Sequence, residues 1–215
     1  MYGVIGDSWW SESTSASDVD RAITQAGSNN LVIHLNSPGG DAFDGVAIYN
    51  RLMNHKSKHD AKVTIHVDGW ACSAASVIAM AADELIMGTG AMLMIHEASN
   101  IVWGTKAEMR KTADMLEKLE DGIIDAYMTK ANITRDEVRN MVDSETWFSA
   151  NEAVEVGFAT ATKIAEGSND DEITQLRADI QAMQNELKQY KNQQKEPTPE
   201  AVKPKQTLSK LFLNL

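Results

Sequence analysis

The chain has 215 residues, 43% of them apolar, enough for one domain of ordinary size and a short appendage. Its 31 acidic and 20 basic side chains leave a formal net charge of −11, which argues against nucleic-acid phosphates or an acidic membrane surface as the main partner. Cys72 is the single cysteine, so neither an internal disulfide nor a Cys-based zinc site is expected. With no long apolar run and no basic leader, the expected setting is a reducing cytoplasm.

In chain order, short aliphatic or β-branched runs predict strands at Tyr2 to Ile5, Asn30 to Asn36, Lys62 to Asp68, Glu84 to Met87, Met92 to Ile95 and Phe158 to Thr162. Between them, cap-like residues open predicted helices. Ser17 precedes Val19 to Ala26, Asp41 precedes Val46 to His55, and Thr105 precedes Lys106 to Lys130. Thr134 precedes Asp136 to Val142, and Ser149 precedes Ala150 to Val156. A further short apolar helix is expected over Val77 to Ala82. This alternation predicts an α/β fold over residues 1–165.

Composition changes near Glu166. Three of the four prolines and a run rich in Asn, Gln and Lys lie beyond it. Charges nearly balance in that tail, so the acidity belongs to the domain. Ile173, Leu176, Ile180, Met183, Leu187 and Tyr190 alternate at spacings of three and four. They predict a short heptad-type helix within 166–192 that either self-associates or packs on something else. Residues 193–215 read as a flexible linker with an apolar end, Leu208-Ser209-Lys210-Leu211-Phe212-Leu213-Asn214-Leu215.

Three segments carry the possible chemistry. Leu31 to Asp41 is a strand running into Ser37-Pro38-Gly39-Gly40-Asp41, where paired glycines bring backbone N–H groups to a ligand without an intervening side chain. A simple strand-to-helix turn explains the same residues. In Asp68 to Ser76 a second strand ends in small residues before a helix. Ser73 there is either a nucleophile beside a helix N-terminus or an ordinary cap, as Ser76 could be. Nothing basic lies near Cys72 to activate its thiol, which is expected to be an inert packing group. In Met92 to Glu97, His96 stands where an aliphatic strand ends, a position from which functional side chains leave an α/β sheet, though a structural role accounts for it too. Together the three fit acyl transfer by serine, histidine, carboxylate and backbone N–H donors.

The order of Tyr2 to Gly6, Asn36 to Asp41, Ile48 to Asn50, Gly69 to Ser76, Met94 to His96 and Glu145 to Phe158 resembles the proteolytic subunit of the Clp protease family, most closely its phage and prophage head-maturation branch. The resemblance implies a ClpP/crotonase-like spiral of β-β-α units and a serine endopeptidase needing no cofactor and no metal. It puts the nucleophile on Ser73, the general base on His96, and the oxyanion donors on the backbone N–H groups of Gly40 and Ala74. The third member falls on Glu145, where the family usually has aspartate; Asp143 competes for that role. Substrate main chain would run along Glu97 and Ala98 and past Gly39 and Gly40.

The same resemblance makes the helix from Lys106, with Met109, Leu116, Leu119, Ile123 and Tyr127 on one face, the element by which rings pair, against the alternative of a helix packed within its own chain. It implies self-assembly into a heptameric or double-heptameric ring, a protein or peptide substrate such as a capsid precursor, and a tail that scaffolds assembly or is itself cut. Because the chain starts at its first strand, partnership with a Clp-type ATPase is not expected. No Gly-x-x-x-x-Gly-Lys-[Ser/Thr] phosphate loop occurs. Two other readings compete: a crotonase-type acyl-CoA hydratase or hydrolase using the same N–H pair, and a catalytically silent capsid scaffold.

Overall fold

A computed structural model describes residues 1–163 and Met183. The heptad helix expected within 166–192 and the linker expected over 193–215 lie outside the described residues. The elements are β1 (Val4–Ile5), β2 (Ser13–Thr14), α1 (Ala16–Ala26), β3 (Leu31–Ser37), α2 (Ala42–His59), β4 (Val63–Cys72), α3 (Ala74–Ala79) and β5 (Glu84–Met87). They continue with β6 (Met92–Ile95), α4 (Lys106–Met128), α5 (Arg135–Asp143), β7 (Thr146–Ser149), α6 (Ala150–Glu155) and β8 (Ala161–Thr162). Among them no helix is long and apolar enough to cross a membrane.

β4 organises the larger sheet. Its first half lies between β3 and β5, both parallel to it, and its second half pairs in parallel with β6. β8 extends the sheet beyond β5 in parallel, whereas β7 closes the opposite side antiparallel to β6. Val63, Ile65, Val67 and Ala71 on β4 are fully buried with Leu85 and Met87 of β5 and Leu93 and Ile95 of β6. These residues recur at every second position and so line one face of the sheet, while alternate residues such as Thr64, His66, Ile86 and Met94 are only partly buried. The short helix α3 is buried along its whole length against the same core.

Four helices begin with reciprocal caps in which a Ser or Thr accepts the N3 N–H and an acidic N3 side chain accepts the cap N–H: Ser15/Asp18, Thr105/Glu108, Thr134/Glu137 and Ser149/Glu152. The first corrects the expected cap at Ser17, because Ser15 satisfies the N-terminal donors two residues earlier. Two strands escaped the sequence reading. β2 has two residues, and β7 lies in Thr146-Trp147-Phe148-Ser149, a stretch too short for periodicity to show. β4 also runs past the expected Asp68 to Cys72, carrying the sheet up to Ser73.

At the far end of the sheet, Asp83 ties β4 to β5. Its carboxylate accepts the Val63 N–H at 2.8 Å and pairs with the Lys56 ammonium at 2.7 Å, while its own N–H donates to Val63 O at 2.7 Å. Burial works to raise the Asp83 carboxyl, but Lys56, the Val63 N–H and the attraction of Lys56 and Lys130 together hold it below the usual aspartate value of 3.8. A depressed folded-state value gives stability that is present above the ordinary carboxylate range and lost as pH falls through the folded value. Asp83→Asn is therefore expected to cost about 1 kcal/mol near neutral pH. Thermal melts against pH should show the gap from the unsubstituted protein closing below pH 3.8.

Candidate active site

The parallel register of β4 and β6 pairs Cys72 with Met94. The next residues on the two strands leave the sheet at one end, and these are Ser73 and, two beyond Met94, His96. The structure brings their side chains together: His96 Nε2 lies 2.8 Å from Ser73 Oγ. Both residues are half-buried at the mouth of a cavity of about 190 Å³.

Ser73 has φ 55° and ψ −126°, a backbone conformation that side chains other than glycine rarely adopt. Such a residue costs on the order of 1–3 kcal/mol and persists only where its surroundings hold it. Here its N–H donates to Met94 O at 2.9 Å, and its carbonyl accepts the Ser76 N–H at 2.9 Å and the Val77 N–H at 3.3 Å. The Ser76 hydroxyl donates to the same carbonyl at 2.6 Å. That hydroxyl has one proton, so at 2.7 Å it accepts from Tyr127 OH on α4. Ser76 is thus a brace for residue 73 and not a helix cap. Ser73 likewise makes no side-chain cap bond, which leaves its hydroxyl to His96.

The Pro-Gly-Gly turn comes alongside through a bulge. Pairing of β3 with β4 jumps from Leu35–Val67 to Ser37–Ala71, and Asn36 Oδ1 accepts the Trp70 N–H at 3.3 Å. Gly39 is buried with φ 92°, its N–H donating to Ser37 Oγ at 3.0 Å. A β-carbon there would stand 2.6 Å from both Ser73 Cβ and Cys72 O, so only glycine fits. At Gly40 a β-carbon would lie 2.1 Å from Ile5 O. The bridge to β1 uses the Ile5 and Asp41 N–H groups. Among the described residues neither the Gly40 N–H nor that of Ala74, first in α3, has a protein partner, and both residues border the cavity beside Ser73 and His96.

The carboxylates divide differently. Glu145 follows α5 with φ 49° and stands one residue beyond the last ladder pair, Ile95–Thr146, which is also where His96 stands on β6. Its carboxylate accepts from Trp147 Nε1 at 3.3 Å, and among the described residues no carboxylate is hydrogen-bonded to His96 Nδ1. Asp143 lies elsewhere, with its carboxylate within 4.8 Å of those of Glu97 and Glu120. Both oxygens of Glu120 are already engaged, one by the Ala98 N–H at 3.0 Å and the other by Arg139 at 2.8 Å.

Of the residues expected along the substrate path, Gly40, Glu97 and Ala98 line the cavity, but the Ala98 N–H is spent on Glu120. The far wall is apolar and comes from α4: Leu116, Leu119, Ile123 and Tyr127. Ile123 and Tyr127 are buried in this chain's own core, whereas Met109, on the same expected face, is 46% exposed. The helix therefore packs within its own chain over its second half. Glu120 is a participant the sequence reading missed. The available signal was a charge four residues after Leu116 and three before Ile123, on the helix's apolar stripe.

Cys72, one residue before Ser73, is buried, and burial pushes its thiol up to about 11. At pH 8 that leaves roughly 100-fold less thiolate than an ordinary thiol would have. Alkylation by iodoacetamide at pH 8 should accordingly be at least about 100-fold slower in the native protein than in urea, read by mass spectrometry.

Residues 21–168 match the model of the Clp protease family. The chain is 30% identical over 131 residues to the ATP-dependent Clp protease proteolytic subunit 1 of Chlamydia muridarum, covering 59% of this chain and 66% of that protein. Its counterpart in Protochlamydia amoebophila is 28% identical over 155 residues, covering 68% of this chain and 73% of that one. The chain thus spans about two-thirds of the length of the curated relatives it matches. A ClpP1 mutant from Listeria monocytogenes superposes with a TM-score of 0.64 at 20% identity, covering 77% of this chain and 90% of that one. With this fold and a family match that takes in β4, β6 and both residues of the Ser73–His96 pair, the chain belongs to the Clp protease family.

Proposed function

We propose that this protein is a serine endopeptidase. The observation that carries the reading is the 2.8 Å contact between Ser73 Oγ and His96 Nε2 beside two unpartnered backbone N–H groups. Ser73 Oγ attacks the scissile carbonyl carbon as His96 Nε2 takes its proton. The oxygen that becomes negative is received by the Gly40 and Ala74 N–H groups. Collapse breaks the C–N bond, the imidazolium returns its proton to the leaving amine, and the acyl group stays on Ser73. Water, deprotonated by His96, then releases the acid and restores the serine.

Glu145 is the third member in this reading, because it stands level with His96 on the neighbouring strand, while Asp143 is grouped with Glu97 and Glu120. Orienting the imidazole requires its carboxylate to turn from Trp147 to His96 Nδ1. The relatives are named as proteolytic subunits, which supports an assembled form, and we take that form to be a ring. Capsid-assembly proteins, or the chain's own tail, are the substrates that the resemblance to the head-maturation branch favours.

A fluorophosphonate probe tests the chemistry. Labelling of the purified assembly is expected at Ser73, with loss in Ser73→Ala and in His96→Ala and a fall in peptidase turnover of about 10^4 or more. Labelling that survives in Ser73→Ala would overturn the assignment, and an unlabelled, ring-forming protein would favour the scaffold. Acyl-CoA turnover unaffected by Ser73→Ala would favour a crotonase-type enzyme. Glu145→Ala should reduce turnover by about 10^2 to 10^4 while Asp143→Ala stays within a few-fold. The reverse order would transfer the third role to Asp143.

A further inference from the structure

β6 ends at Ile95, and His96 is the first residue beyond the sheet. From Glu97 to Gly104 the chain has no regular structure, and over those residues the described backbone makes a single hydrogen bond, from the Ala98 N–H to Glu120 Oε1 at 3.0 Å. Glu120 is 8% exposed. A carboxylate so deeply placed needs compensation, and Arg139 of α5 supplies it at 2.8 Å on the other oxygen. Arg139 is in turn held by Asp121 at 2.7 Å. An unbroken chain of charge-assisted contacts therefore runs from α5 through α4 to the residue two after the imidazole.

His96 is consequently held from two directions. On one side are the two ladders of β6, with β4 as far as Met94, whose carbonyl accepts the Ser73 N–H, and with β7 as far as Ile95–Thr146. On the other is this one bond, without which nothing described fixes the backbone between Ile95 and the α4 cap at Thr105. A hydrogen bond to an ionised acceptor is stronger than a neutral one and is strengthened further by burial. One methylene of drift at the imidazole is enough to lose contact with a hydroxyl at 2.8 Å. The buried acidic side chain belongs to neither the nucleophile, the base nor the donors of the oxyanion site, and its placement on an otherwise apolar stripe has no packing advantage over leucine.

We propose that Glu120 is a positioning residue for His96, fastening the segment after the imidazole to α4 through the Ala98 N–H and anchored itself by Arg139. The proposal rests on the reading of Ser73 and His96 as the catalytic pair. Since Ala98 spends its N–H inward, main-chain contacts of a bound peptide along this segment must come from its neighbours, among them Glu97.

The test compares the assembled full-length protein with Glu120→Leu, Glu120→Gln, Arg139→Ala and Asp125→Asn. It measures the rate of fluorophosphonate labelling at Ser73, kcat and KM on a peptide, and thermal unfolding. Glu120→Leu, close in volume but without an acceptor, should slow labelling and lower kcat about 10-fold or more with KM within about twofold. Glu120→Gln keeps an oxygen for the Ala98 N–H and should recover labelling to within about threefold of the original. Arg139→Ala, which frees the anchor but leaves the acceptor and spares the core, should lose about threefold even if the leucine variant fails to fold. Asp125→Asn removes an Arg135 ion pair on the same helix–helix contact away from Ala98 and should change labelling by less than twofold. Labelling and kcat unchanged in Glu120→Leu or Arg139→Ala, an effect on KM alone, or an equal loss in Asp125→Asn would overturn the proposal. Failure of the unsubstituted protein to label at Ser73 would overturn the peptidase reading itself, which separates the two.

Discussion

The geometry of the site depends on one register, the parallel pairing of Cys72 with Met94. Parallel strands point their carboxyl ends the same way, so whatever follows each strand is delivered to one end of the sheet. A shift of one residue would turn β6 over, putting its buried Leu93 and Ile95 on the wrong face and withdrawing His96 from Ser73. The aliphatic core therefore does more than stabilise: the burial of Leu93 and Ile95 locks the register that sets the 2.8 Å contact. The Pro-Gly-Gly turn reaches the same end because the β3–β4 pairing slips at the bulge and resumes at Ser37–Ala71.

Around that register, helix α4 serves two purposes. Its second half closes the core with Ile123, Ile124 and Tyr127, and the same stretch touches the site twice, through Tyr127 to Ser76 and through Glu120 to Ala98. One contact braces the backbone of the serine and the other the segment after the histidine. Packing and chemistry are thereby coupled through a single helix. A displacement of α4 would loosen both partners together.

Much of this was legible in the residues. Short aliphatic or β-branched runs marked β3, β4 and β6, and the family blocks pointed to Ser73, His96, Gly40 and Ala74, which the structure brings to one cavity, because small residues and glycines at strand ends leave a pattern that survives without coordinates. What was hidden follows from long-range geometry. β7 has four residues and draws its identity from pairing with β6, not from its own period. Glu120 looks like a surface residue unless Ala98 and Arg139 are known to meet it. Residue 145 shows a further limit: its place beside His96 can be read from the register, but the orientation of its carboxylate, turned toward Trp147, is a matter of rotamer and solvent exposure that no spacing encodes.

The left-handed backbone at residue 73 has a meaning beyond its bracing. Glycine would occupy that corner without penalty, and a chain optimised only to fold would place it there. Keeping a hydroxyl-bearing side chain at such a corner gives up thermodynamic comfort where the sheet opens onto the cavity, so the serine points to a demand that folding alone does not make.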